Sequence, residues 1–293
     1  MNWLRQLDKP EYFFRPAQVL KRLVWNQDLT VTEVELPWGL PITVQRGDSI
    51  GRCLCTQGVY DLALTEFVWR LLDAGDTAVD VGANIGYVTG LMAARAGRPG
   101  TVIALEPHPD LFAELQRNVI RWRTRGNLAA ITLHNLAASE SRNTATLYLP
   151  QEFSQNRGVA TLAAADHAVA GPTVQTVPLD ELIPGSVALL KIDVEGHELA
   201  VLKGCQRLLS SRRIRDIVFE EHQAYPGVVH RLLEASGYRV VRIDRAFRGP
   251  LLRSPEQPNR HPLLPPNYLA TLDPERCVSR MMPRGWFCLK AAN

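Results

Sequence analysis

Asp80-Val81-Gly82-Ala83-Asn84-Ile85-Gly86 decides the fold. The stretch closes a short apolar run, residues 77–81, and opens a helical pattern that continues through Arg95. A glycine-rich turn from strand to helix lets a ligand approach the backbone and the helix N-terminus. A dinucleotide fingerprint, Gly-x-Gly-x-x-Gly, would put its middle glycine where Asn84 stands. That glycine makes room for a pyrophosphate. Its absence, with Asp80 at the strand end, favours a ligand that carries an amino group and no phosphates.

Working outward, strand and helix patterns alternate. Strands are predicted at 101–105, 130–133, 187–192, 216–219, 238–243 and 286–289, with helices at 109–122, after 192 to about 209, and up to 235. This alternation argues for a mostly parallel sheet covered on both faces. Glu106 ends the second strand, 26 residues after Asp80, where an acid can accept hydrogen bonds from ribose hydroxyls. The turn and this acid together, in one βαβ unit, point to S-adenosylmethionine. Two further clusters follow later strands, Lys191-Ile192-Asp193-Val194-Glu195-Gly196-His197-Glu198 and Glu220-Glu221-His222. Ligands of open α/β sheets bind beyond the carboxyl ends of the strands, so these clusters share an edge with Gly82. Neighbouring fourth and fifth strands would bring Asp193 and His222 to one acceptor.

Gly58-Val59-Tyr60, Asp80 to Val88, Glu106-Pro107, Leu179-Asp180 and Lys191 to Glu198 resemble the FkbM family of S-adenosylmethionine-dependent methyltransferases, over about Leu36 to Lys290. The resemblance implies an α/β, Rossmann-like class I methyltransferase fold, with a seven-stranded, mostly parallel sheet whose last strand is antiparallel. It implies methyl transfer to a hydroxyl of a polyketide, sugar or glycolipid, with S-adenosylhomocysteine as product. Asp80, Gly82, Ala83, Asn84, Gly86, Glu106 and Asp193 are then the expected cofactor contacts, and Asn135 and Ala137 match the region bordering the adenine. Asp61 departs from the Glu often found there, but keeps the acid.

A sulfonium is already activated, so the protein has to hold the acceptor in line, exclude water and take one proton. His222 or Asp193 is the expected base, with Lys191 orienting the carboxylates. The rival role for Lys191 is an ion pair with Glu195 or Glu220, and His197 is expected to face solvent. Asp193, Glu221 and His222 offer ligands for a divalent ion, but no ligand spacing identifies a metal, and none is assigned. The alternatives are N-methylation of an amine or peptide, and a non-catalytic scaffold that binds S-adenosylmethionine. Asn84 disfavours a nicotinamide dehydrogenase.

Around this core, residues 1–60 read as an extension holding a helix (12–25) and a β-hairpin (29–36 and 42–45), before the methyltransferase domain at 61–293. The aromatic and basic residues 12–25 could touch a membrane surface, although docking on the main domain is the simpler use of such a face. The loop 153–161 and the proline-rich stretch 248–268 are expected to wall the acceptor end, with Trp38, Tyr60, Phe153 and Tyr225 as candidate aromatics. Composition restricts the partners. With 33 Lys+Arg against 30 Asp+Glu, the net charge of +3 does not fit a nucleic-acid binder. Five scattered cysteines without ligand spacing fit a reducing, cytoplasmic setting. No apolar run is long enough to span a membrane, and the opening residues lack the apolar core of a signal peptide.

Overall fold

The computed structural model describes residues 10–23, 30–150, 153, 157–162, 169–257 and 267–290. The chain starts with two short helices, α1 (Pro10–Phe14) and α2 (Ala17–Leu23), and a hairpin of β1 (Val31–Glu35) and β2 (Pro41–Gln45). Helices α3 (Ser49–Gln57) and α4 (Leu62–Leu71) lead into β3 (Thr77–Val81), α5 (Tyr87–Ala96), β4 (Thr101–Leu105), α6 (Pro109–Trp122) and β5 (Ala130–His134). Next come β6 (Ala137–Ala138), β7 (Asn143–Leu149), β8 (Val169–Val177), α7 (Leu179–Leu182), β9 (Val187–Ile192), α8 (Glu198–Lys203) and α9 (Gln206–Ser210). The chain continues through β10 (Ile214–Glu220), α10 (Val228–Ala235), β11 (Arg239–Ala246), β12 (Gly249–Arg253), β13 (Asn267–Thr271) and α11 (Pro274–Met281).

The main sheet runs β12-β11-β13-β10-β9-β3-β4-β5. Its central strands are parallel, and β13 lies antiparallel between β10 and β11. Side chains alternate across a strand, so each central strand feeds two cores. Ala78, Val102, Leu189 and Val218 pack with the hairpin, α4, α5 and α6, whereas Val79, Ile103, Leu190 and Ile217 pack with α8, α9 and α10. Burial on both faces explains why these strands read as continuous apolar runs. β6, β7 and β8 form a separate three-stranded sheet.

Two expectations change here. The strand expected at 286–289 is a 3₁₀ turn, Phe287–Leu289, and the antiparallel strand is β13 instead. Residues 286–289 are apolar because they pack on Val59 and Leu62, and the amides of Phe287 and Cys288 donate to Glu66 of α4 rather than to a strand. The proline-rich stretch expected to be irregular holds β12, an eighth strand at the sheet edge, where Pro250 needs no ladder donor. Residues 258–266 of that stretch, 154–156 of the expected loop, and Trp25 and Leu29 lie outside the described residues.

Candidate active site

The strand order reverses between β3 and β9: β4 and β5 continue on one side, β9 and β10 on the other. Such a switch point opens a crevice at the carboxyl ends of the strands. The turn after β3 and the turn after β9 meet there. Gly82 has φ +77°, and a Cβ on it would lie 2.0 Å from the Asp193 carbonyl oxygen. Glycine is therefore demanded by the neighbouring turn as well as by the conformation. A cavity of about 670 Å³ opens beyond it, lined by Gly82, Ala83, Asn84, Glu106, Ala137, Lys191, Asp193, Glu195, His197, Glu220 and His222. That volume is within the usual range of cofactor and ligand sites.

Glu106 lies just past β4 and is 5% exposed. Its two carboxylate oxygens accept the backbone N–H groups of Asn84 and His108, each at 2.8 Å. Burial pushes its carboxyl up to about 7, although these amides and Lys191 pull it down. Each oxygen keeps a further lone pair, and the residue lines the cavity, so the pair suits a vicinal diol. The Gly82–Asn84 backbone and Ala137 complete a wall that could hold an adenosyl group, with the acidic groups Asp193, Glu195 and Glu220 beyond it.

Asp80, Gly86 and Asn135 act behind this wall. Asp80 is fully buried, accepts Thr89 Oγ1 at 2.6 Å and lies 3.2 Å from Lys191 Nζ. Gly86 has φ +97°, and its α-carbon faces Leu115 and Trp122. Asn135 Nδ2 donates to the carbonyls of Glu106 and Pro107, fixing the loop that presents the acid.

Lys191 is not paired with Glu195 or Glu220. Its ammonium donates to the Gly82 carbonyl at 2.7 Å and lies 3.2 Å from Asp80 and 3.5 Å from Asp193. Burial alone would lower its pKa, and the charges of Asp80 and Asp193 more than reverse that, so the ammonium stays charged. It ties the turn after β3 to the turn after β9. His197 does not face solvent: it is half-buried, with Nε2 3.0 Å from Ser139 Oγ, and burial lowers its pKa. Among the candidate aromatics, Tyr60 lines the cavity. Trp38 is in the core, Phe153 stacks on His108, and Tyr225 hydrogen-bonds Glu234 on the outside.

The fourth and fifth strands are neighbours, as expected, and their ends bring together a set not assembled from the sequence. His222 Nε2 lies 3.3 Å from Glu195 and 3.6 Å from Glu220. These three offer ligand atoms at metal-binding separations, whereas Glu221 is buried and accepts the Gln223 amide instead of joining His222. Burial and the charge of Asp193 raise both Glu195 and Glu220 above the ordinary carboxylate range; Glu195 adds to the rise at Glu220, whereas His222 holds Glu195 down. Glu220 is read from the sequence as part of the Glu220-Glu221-His222 cluster, and it ends β10 as Glu106 follows β4. Glu195 is read from the sequence only as a partner of Lys191, because the φ of +52° that turns it toward His222 is specific to the tertiary turn.

The methyltransferase FkbM domain model matches residues 80–240, more than half of the chain. The chain belongs to the FkbM methyltransferase family. This FkbM-family chain is 31% identical over 188 residues to the hexuronic acid methyltransferase AglP of Haloferax volcanii, a match covering 61% of the chain and 69% of that protein. It is 32% identical over 198 residues to the 31-O-demethyl-FK506 methyltransferase FkbM of Streptomyces tacrolimicus, covering 58% and 75%. Among solved structures, the FkbM methyltransferase of Methylobacillus flagellatus is similar at 19% identity, with a TM-score of 0.41 over 69% of this chain and 47% of that one. The chain is thus a methyltransferase, and S-adenosylmethionine is the methyl donor the family implies. No helix among the described residues is long and apolar enough to cross a membrane.

Proposed function

We propose that the enzyme transfers the methyl group of S-adenosylmethionine to a hydroxyl of a sugar or polyketide-like small molecule. The observation that carries this reading is the imidazole of His222 set between the carboxylates of Glu195 and Glu220, in the cavity that also holds Glu106. A hydroxyl must lose a proton as its oxygen attacks the methyl carbon. His222 accepts that proton at Nδ1, and the imidazolium so formed faces the acidic groups of Glu195 and Glu220 through Nε2, much as an acid steadies the histidine of a hydrolase triad. An amine arriving neutral would need no such base. Asp193 is the weaker candidate because its carboxylate is engaged by Lys191. Lys191 then positions the two turns rather than touching the acceptor. The two relatives' names fit this chemistry, one specifying a sugar acid and the other an O-demethyl acceptor.

The test is incubation with S-adenosylmethionine and a panel of hydroxylated glycosides and macrolides, with methyl ethers read by mass spectrometry. His222→Ala should bind S-adenosylhomocysteine as wild type does while kcat falls about 10²–10⁴-fold. Undiminished turnover would remove His222 from the chemistry, and methylated amines in place of ethers would reverse the assignment of the acceptor.

A further inference from the structure

The aromatic and basic run near the N-terminus has no part in the cavity chemistry, yet its described portion, α1 and α2, sits beside the cavity. Buried Glu11 lies 3.4 Å from Arg245 of β11, and both residues line the cavity wall. The residues that follow turn outward. Phe13 is 69% and Phe14 41% exposed, and Leu20 and Leu23 are 67% and 77% exposed. Phe13 meets Phe14 edge-on at 5.4 Å and meets Phe247, between β11 and β12, at the same distance. Phe247 is exposed as well, and its carbonyl is held by Trp286 Nε1, so the tip is anchored. Three phenyl rings from two distant parts of the chain therefore meet in solvent.

Single exposed apolar side chains are ordinary, but a cluster of this kind marks a surface that meets a partner. The exposed charges on α2 and the β11–β12 tip are basic. Lys21, Arg22 and Arg248 are exposed, and Glu11, the one acid of residues 10–23, is buried under its arginine. Arg22 also covers the Tyr12 ring, 5.5 Å from its centroid, and donates to its hydroxyl. Aromatic rings flanked by cations are the composition of an element that lies in a lipid headgroup boundary.

We propose that α1, α2 and the β11–β12 tip dock on an anionic membrane surface. The phenyl rings enter the headgroup boundary and Lys21, Arg22 and Arg248 face the lipid phosphates, holding the Glu11–Arg245 side of the cavity against the membrane. The proposal is independent of the acceptor's identity and of the role given to His222.

The test is flotation of the purified full chain with phosphatidylcholine vesicles, with and without about one third phosphatidylserine. The protein should float with the anionic vesicles, float poorly with the neutral ones, and be released by salt. The triple variant Phe13→Ser, Phe14→Ser, Phe247→Ser should bind at least about tenfold more weakly. Its melting temperature and S-adenosylhomocysteine binding should match wild type, which separates lost docking from lost folding. Should the triple variant melt early, Lys21→Gln with Arg22→Gln serves in its place, and it should lower anionic binding alone. Failure of the wild type to float, or flotation untouched by both variants, would overturn the proposal. So would self-association of the wild type that the triple variant loses without any vesicle binding, which would make the face a contact between copies.

Discussion

Glu220 carries the most exposed consequence of the site's charge distribution. Its carboxyl is raised first by burial and then by the charges of Asp193, Glu195 and Asp61, and its side chain is 17% exposed. An acid whose folded pKa exceeds its unfolded value binds more protons in the native state. Its penalty is absent below the unfolded pKa, grows as pH rises, and levels off above the folded pKa. Glu220→Gln, which keeps the shape without the charge, should therefore melt close to wild type near pH 5 and above it near pH 9, by on the order of a few kcal/mol. Thermal unfolding of the two proteins without ligand checks this. Equal melting at alkaline pH would mean that the cluster is already neutralised. Among individual residues, those that carry function through chain position were readable. Asp193 and His222 were read because both follow apolar strands. The partnership of Lys191 was not, because its ammonium reaches back to Asp80 and Gly82 across 109 or more positions of sequence.

At the level of the elements, the turn after β3 joins the cavity to the core. Gly86 caps α5 with φ +97°, and a Cβ there would lie 2.6 Å from Leu115 Cδ1 and 3.1 Å from the Trp122 ring. Trp122 is fully buried and donates to the Pro41 carbonyl of β2, so it has no room to retreat. Gly86→Ala should lose about 1–3 kcal/mol in urea unfolding, from crowding and left-handed strain combined. A neutral outcome would show that α6 moves freely. The same turn shows why most of the fold was legible. Strands buried on both faces have an unmistakable apolar signature, and β3, β4, β9 and β10 carry it. β8 escapes a sequence reading because its pattern is weaker, exposed over its first residues and containing Pro172, whereas β13 is buried like β3 but begins inside the proline-rich stretch 248–268. Residues 286–289 are apolar enough to read as a strand, and only the carboxylate of Glu66 shows that their amides are taken elsewhere.

For the whole molecule, the C-terminal segment is fastened by the buried Glu66–Arg70 pair of α4, beside the pairs of Arg276 and Arg280 with Asp73. Arg70 of α4 lies 2.6 Å from Glu66 and donates to the carbonyls of Arg280, Pro283 and Gly285, while its guanidinium covers the Phe287 ring at 4.1 Å. Arg70→Ala leaves a buried carboxylate and several carbonyls without partners and should cost about 3–5 kcal/mol. Arg70→Lys should recover little, since an ammonium cannot reproduce the planar fork. Denaturant midpoints decide both. α4 also begins at Asp61 in the cavity wall, so the same helix that holds the C-terminal segment helps shape the site.

In the proposed reaction, the cavity at the β3–β9 switch point holds an adenosyl group through Glu106. Calorimetric titration of the purified enzyme with S-adenosylhomocysteine, beside Glu106→Ala and with NAD as control, tests it most directly. Wild type should bind, Glu106→Ala should lose that binding while staying folded, and NAD should give no heat. Binding that Glu106→Ala leaves intact, or a preference for NAD, would contradict this role of the cavity.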